Sequence, residues 1–220
     1  RNFVVLGSNS FSGSHFVRHL LEHGNDVLGI SRSEEPHDLF LPYKWLSSGL
    51  ERFHFERIDL NHDLDHLMET IQERKPEYII NFAAQGMVAQ SWETPEHWYQ
   101  TNCIAMVRLT NELCRRDYIE KYVTSSTPEV YGSSEKNLIE NHNYFPSTPY
   151  AASKLAGDLH LLTLFKRYQF PVVFTRSANV YGIHQQLYRI IPRTIIYLKL
   201  DKTIELHGRG KAVRSFVHIR

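Results

Sequence analysis

The chain has 220 residues, 42% of them hydrophobic, and a formal net charge of +1, enough apolar material for a substantial core. Lys and Arg are scattered, which excludes a nucleic-acid footprint. No apolar run is long enough to cross a bilayer, the richest, 190–200, being broken by Pro192, Arg193 and Lys199. In chain order, 3–6 reads as a buried parallel strand, followed by a turn with Gly7, Ser10, Phe11 and Gly13 and an apolar-periodic helix over 13–23. Strand, glycine turn and helix start form a phosphate cradle, in which backbone N–H groups meet a pyrophosphate at the positive end of the helix. The spacing is G-x-x-S-x-x-G; Ser10 stands at a middle position normally held by glycine, so approach there is tighter. His15 and His19, and again His62 and His66, lie one helical turn apart and read as solvated helix faces rather than metal ligands.

The second strand, 27–30, ends at Ser31 and Arg32. An acidic residue at that end would bind a ribose 2′-hydroxyl and repel a 2′-phosphate. A neutral and a cationic residue there lean toward NADP over NAD, although Glu34 and Glu35 follow closely. Further strands are expected at 53–58, 78–82, 121–125 and 172–176, with helices at 63–74, 96–117, 149–168 and 189–199. Alternating strands and helices, with runs of Val, Ile and Phe, predict a parallel sheet covered on both faces. Cys103 and Cys114, the chain's two cysteines, have no metal spacing and suit a reduced, cytoplasmic setting.

Tyr150 and Lys154, four residues apart, share one face of the helix expected at 149–168. An ammonium beside a phenol favours the phenolate, so this spacing suits removal of a hydroxyl proton, and Thr127 would orient the alcohol that loses it.

These residues, with Asp59, Leu60, Asn81, Asn102, the Ser126–Gly132 block, Arg176, Asn179, the Leu206–Gly210 stretch and Arg214 in the same order, resemble the extended short-chain dehydrogenase/reductase family. Within it they resemble the nucleotide-sugar epimerase and 4,6-dehydratase branch, similar to GDP-mannose and dTDP-glucose 4,6-dehydratases. The resemblance implies a Rossmann-type doubly wound domain over 1–180 and, over 181–220, the start of a small, incomplete C-terminal substrate lobe. It implies that Gly7, Ser10, Phe11, Gly13, Ser31, Arg32, Asp59, Leu60, Phe82, Ala83 and Ala84 hold NAD(P), with Tyr150 and Lys154 on the nicotinamide ribose, and that no metal is needed. It assigns Thr127, Tyr150 and Lys154 to oxidation at sugar C4 and Glu129 to the C5 proton. It also assigns Gln85, Asn179 and Arg214 to the substrate.

Two departures stand out. Pro128 replaces the aspartate that protonates the leaving C6 hydroxyl in many dehydratases, and Gly86 and Met87 replace a Ser-His pair. The family implies a homodimer built on the segments 96–117 and 149–168, with a nucleotide-sugar substrate and no membrane partner. The first expectation is a nucleotide-sugar 4,6-dehydratase. The alternatives are a nucleotide-sugar epimerase or 4-reductase, and a dinucleotide-binding protein that has lost catalysis.

Overall fold

The computed structural model describes residues 1–133, 138–206, 210 and 213–220, so residues 207–209 of the Leu206–Gly210 landmark lie outside the described residues. Six parallel strands form one sheet: β1 (Asn2–Leu6), β2 (Asp26–Ser31), β3 (Phe53–Arg57), β4 (Tyr78–Asn81), β5 (Lys121–Ser125) and β6 (Val172–Thr175). Their order is β3-β2-β1-β4-β5-β6, the doubly wound Rossmann arrangement in which the chain reverses direction beside β1. The inner strands β1, β2 and β4 are buried on both faces, which is why they read as continuous apolar runs rather than alternating ones, while β3 and β6 at the edges are only partly covered. Along β1, Phe3 and Val5 pack with Val17, Leu20 and Leu21 of α1 (Phe11–Glu22) on one face. Val4 and Leu6 pack on the other with Leu67 and Ile71 of α2 (Leu64–Arg74). Each fully buried Leu, Ile or Val contributes roughly 1.5–3 kcal/mol.

The expected helix over 96–117 is broken. It begins as α3 (Pro95–Tyr99), widens into a π-helical turn over Gln100–Ala105 and continues as α4 (Met106–Leu113). The next helix, α5 (Pro149–Tyr168), matches its expected bounds. Thr148 caps it by accepting from the Ala151 N–H at 3.1 Å, Pro149 occupies its first turn, and Gln169 ends it in the left-handed region at φ 56°.

Two short strands were not expected. β7 (Asn179–Tyr181) and β8 (Phe216–His218) pair in parallel as a separate two-stranded sheet, with α6 (Ile190–Lys199) between them in the chain. His15 also departs from expectation. It is half-buried rather than solvated: its Nε2 lies 3.0 Å from the Ile183 carbonyl, and its ring packs near His184. His19, His62 and His66 are exposed.

Candidate active site

The glycine turn leaves β1 at the sheet's carboxyl edge. Gly7 sits at φ 76°, and a Cβ there would come within 2.6 Å of the Ala83 nitrogen. A Cβ on Gly13 would strike the Gly7 carbonyl. Both positions therefore require glycine, and together they keep the turn pressed against the end of β4. Ser10 is not merely a small substitute: its Oγ accepts from the Gly13 N–H at 3.0 Å and caps α1. One of the helix's free N–H groups is thus already bonded within the turn.

The end of β4 is fixed from within. Asn81 accepts from the Ala83 N–H at 2.9 Å and donates to the Tyr122 hydroxyl at 2.9 Å. A cavity of about 230 Å³ opens between these strand ends. Its walls include Gly7, Ser10, Ser31, Arg32, Asp59, Leu60, Phe82, Ala83 and Ala84, nine residues far apart in sequence, together with Gln85, which was expected at the substrate. A cradle that only glycine permits, opening on this cavity, fits a dinucleotide. Phe11 and Gly13 stand behind the turn: Phe11 is buried edge-on to the His15 ring.

The second cluster forms where β5 meets α5. Thr127 is buried and caps a short 3-10 turn over Pro128–Tyr131, accepting from the Glu129 N–H at 3.2 Å. Pro128 takes the first position of that turn, where a missing N–H costs nothing, and it faces solvent. The Thr127 hydroxyl also hydrogen-bonds the Tyr150 phenol, joining two of the residues expected to act together.

The electrostatics correct one expectation. Tyr150 is pushed above its ordinary pKa, chiefly by burial and further by the negative charges of Glu129 and Asp158. The Thr127 hydrogen bond and the Arg189 guanidinium act in the opposite direction. Lys154 is buried, which pulls its own pKa down, and its charge is answered by Asp158 one helical turn on. Lys154 and Tyr150 share the helix as expected, but burial leaves the Tyr150 phenol above its ordinary pKa rather than below it.

Asp158 had no role in the sequence reading. It is buried, accepts from the Ser126 hydroxyl, and accepts from Arg176 at 2.9 Å. Burial raises its pKa against the pull of Ser126, Lys154 and Arg176. Arg176 lies among the rings of Tyr131, Tyr144 and Phe174, its guanidinium carbon 5.4–5.7 Å from their centroids. Asn102, in the π turn, accepts from the Gln85 N–H at 2.8 Å and donates to the Gln85 carbonyl and the Ser153 hydroxyl. It ties the cavity wall to α5. Arg189 precedes α6 and was also unforeseen. Asn179 opens the small sheet, where its amide donates to the carbonyl of Ser215, the residue after Arg214, at 3.0 Å. Arg214 is exposed.

The chain can now be set beside known proteins. Residues 3–220 match the family described as NAD dependent epimerase/dehydratase. The human protein named dTDP-D-glucose 4,6-dehydratase is 30% identical over 221 residues, which cover 99% of this chain and 62% of that protein. The chain spans under two thirds of the length of such relatives. Among solved structures, DesIV of Streptomyces venezuelae, a dTDP-glucose 4,6-dehydratase with NAD and TYD bound, is 29% identical. It superposes with a TM-score of 0.88 over all of this chain and 68% of its own. The UDP-glucose 4-epimerase of Thermotoga maritima gives 0.86 at 25% identity, over all of this chain and 70% of its own.

Proposed function

We propose, from the premise that the chain belongs to the NAD dependent epimerase/dehydratase family, that the protein is a nucleotide-sugar 4,6-dehydratase forming a 4-keto-6-deoxy sugar nucleotide. One observation carries this reading. Glu129 sits in the turn that Thr127 caps, and its charge is felt at Tyr150, so a carboxylate accompanies the proton-abstracting pair. Gly7, Ser10, Asp59 and Ala83 would hold the dinucleotide, which when bound takes hydride from sugar C4 and later returns it to C6. Tyr150 removes the C4 hydroxyl proton at its phenolic oxygen, with Thr127 orienting that hydroxyl. The C4 ketone acidifies C5–H, and the Glu129 carboxylate accepts that proton. Pro128 has no proton to give, so Glu129 passes its proton to the C6 hydroxyl, which leaves as water; when hydride is returned to C6, C5 takes a proton that the emptied Glu129 carboxylate draws from solvent.

The end of β2 supports NADP over NAD. Glu34 is turned to Arg57 at 3.1 Å, while Glu35 accepts from Lys44 at 2.9 Å and Tyr43 at 2.6 Å. Arg32 lines the cavity and makes no ion pair among the described residues, so its charge is available to a 2′-phosphate. Gln85, Asn179 and Arg214 are proposed for the substrate, and 181–220 as the opening of the lobe that encloses it. Exposed Ile104, Leu159 and Phe165 on the two helical segments support a homodimer.

The test uses the full-length protein in heavy water with a panel of sugar nucleotides, read by mass spectrometry. Loss of one water with deuterium on the sugar is expected, and Glu129→Gln should abolish it. An isomer of unchanged composition would instead make the protein an epimerase, a reading favoured by the proline at position 128.

A further inference from the structure

The sequence between the glycine turn and the end of β2 contains a residue to which no role has been given. Asn9 lies inside the glycine turn and lines the cavity. Its backbone N–H donates to the Ser31 Oγ at 3.0 Å. Its side-chain amide donates twice, to the Ser33 carbonyl at 2.9 Å and to the Glu34 carbonyl at 3.0 Å. These three bonds reach the residues before and after Arg32, so Asn9 brackets it from both sides. Ser31 is held a second time by Ser8, whose Oγ lies 3.4 Å from its own.

The loop this creates has a defined polarity. With the Ser33 and Glu34 carbonyls drawn toward Asn9, the Glu34 side chain points to Arg57 on β3. Arg32 remains at the wall of the cavity that Ser31, Ser33 and Asp59 also line. Without the amide, two carbonyls lose their donor and the peptides on either side of Glu34 are free to turn. A free loop would let Glu34 approach the cavity or carry Arg32 away from it.

We propose that Asn9 is a specificity-determining positioning residue: by bracketing Arg32 it sets which group, a hydroxyl or a phosphate, the cavity accepts on the adenosine ribose 2′ position. The direction of the preference rests on the NADP reading above; the role of Asn9 does not. Asn9 acts through Arg32 and forms no bond that distinguishes the two cofactors itself.

The experiment is isothermal titration of the full-length protein with NADP+ and NAD+ separately, and the readout is the ratio of the two dissociation constants. The intact protein should bind NADP+ more tightly. Asn9→Ala should shrink the ratio by about tenfold, the size of one charge-assisted hydrogen bond, while NAD+ affinity changes by no more than about twofold. In an Arg32→Ala background the same substitution should leave the ratio unchanged, because the two residues act as one unit. Asn9→Ser serves as a second variant if the alanine form melts early, since it keeps a small polar side chain but cannot reach both carbonyls. A ratio that stays fixed in the Asn9 variants, whether both affinities fall together or neither does, overturns the proposal. A ratio that moves in a protein preferring NAD+ refutes the NADP reading and leaves the role of Asn9 standing.

Discussion

Tyr150 works against its surroundings. Burial and two negative neighbours favour the neutral phenol, so the active phenolate becomes more abundant as pH rises, and turnover should fall toward acid. Arg189 opposes those neighbours. Replacing it by Gln removes a positive charge, raises the Tyr150 pKa further and should move the acidic limb of the kcat/KM profile to higher pH. Tyr150→Phe should cost about 10²–10⁴-fold in turnover with cofactor binding retained by titration. Asp158→Asn leaves Arg176 and Lys154 without their buried counter-ion and should cost about 3–5 kcal/mol, measured by urea unfolding. The Tyr150 and Lys154 pair was legible because i,i+4 spacing is local. Asp158 paired with Arg176 was not, since Arg176 lies eighteen residues further on, beyond the helix, and only folding brings them together.

Among the elements, the inner strands β1, β2 and β4 were readable because burial on both faces leaves an apolar run, and β3, β5 and β6 from their aromatic and β-branched residues. The strands β7 and β8 are short, and every residue of β8 is exposed, so no such run marks them. The break in the segment 96–117 was equally silent: helical periodicity survives one widened turn. The packing it serves is visible at Gly157, where a Cβ would meet the Met106 Cε and, at 2.7 Å, the Asn102 carbonyl. Gly157→Val should therefore cost about 1–3 kcal/mol by thermal or urea unfolding, by prising α5 from the π turn. Because α5 carries Tyr150, turnover should fall as well. Ser10 shows the converse case, in which a departure from the glycine pattern was seen in sequence but its reason, the cap on α1, needed the turn's geometry.

At the scale of the whole molecule, the cofactor cavity was mostly legible, because its walls come from strand ends that the parallel topology gathers at one edge. Where residues 181–220 begin was less so. Contact with the main domain includes His15 against the Ile183 carbonyl and His184 Nδ1, 2.7 Å from the Leu39 carbonyl. Burial holds the His15 pKa down, and the positive groups Arg18, Arg220 and His184, when charged, act in the same direction. A depressed histidine pKa makes this contact most stable above the ordinary value of 6.5 and weaker as pH falls through the folded value. Limited proteolysis should cut the segment near Ile183 faster at pH 5 than at pH 8, and His15→Gln should remove much of that difference. The π turn carries a consequence for how such a chain tolerates changes in length. A π turn holds one residue more than the α-helix it interrupts, and each helical residue rotates the next by about 100°. Deleting one residue from 100–105 would close the turn to an ordinary α-helical one and leave Leu109 and Leu113 facing the core, whereas one residue more, with no turn left to absorb it, would swing them away. Relatives of this chain should therefore be found with one residue fewer through that segment, as a plain α-helix, but not with one more.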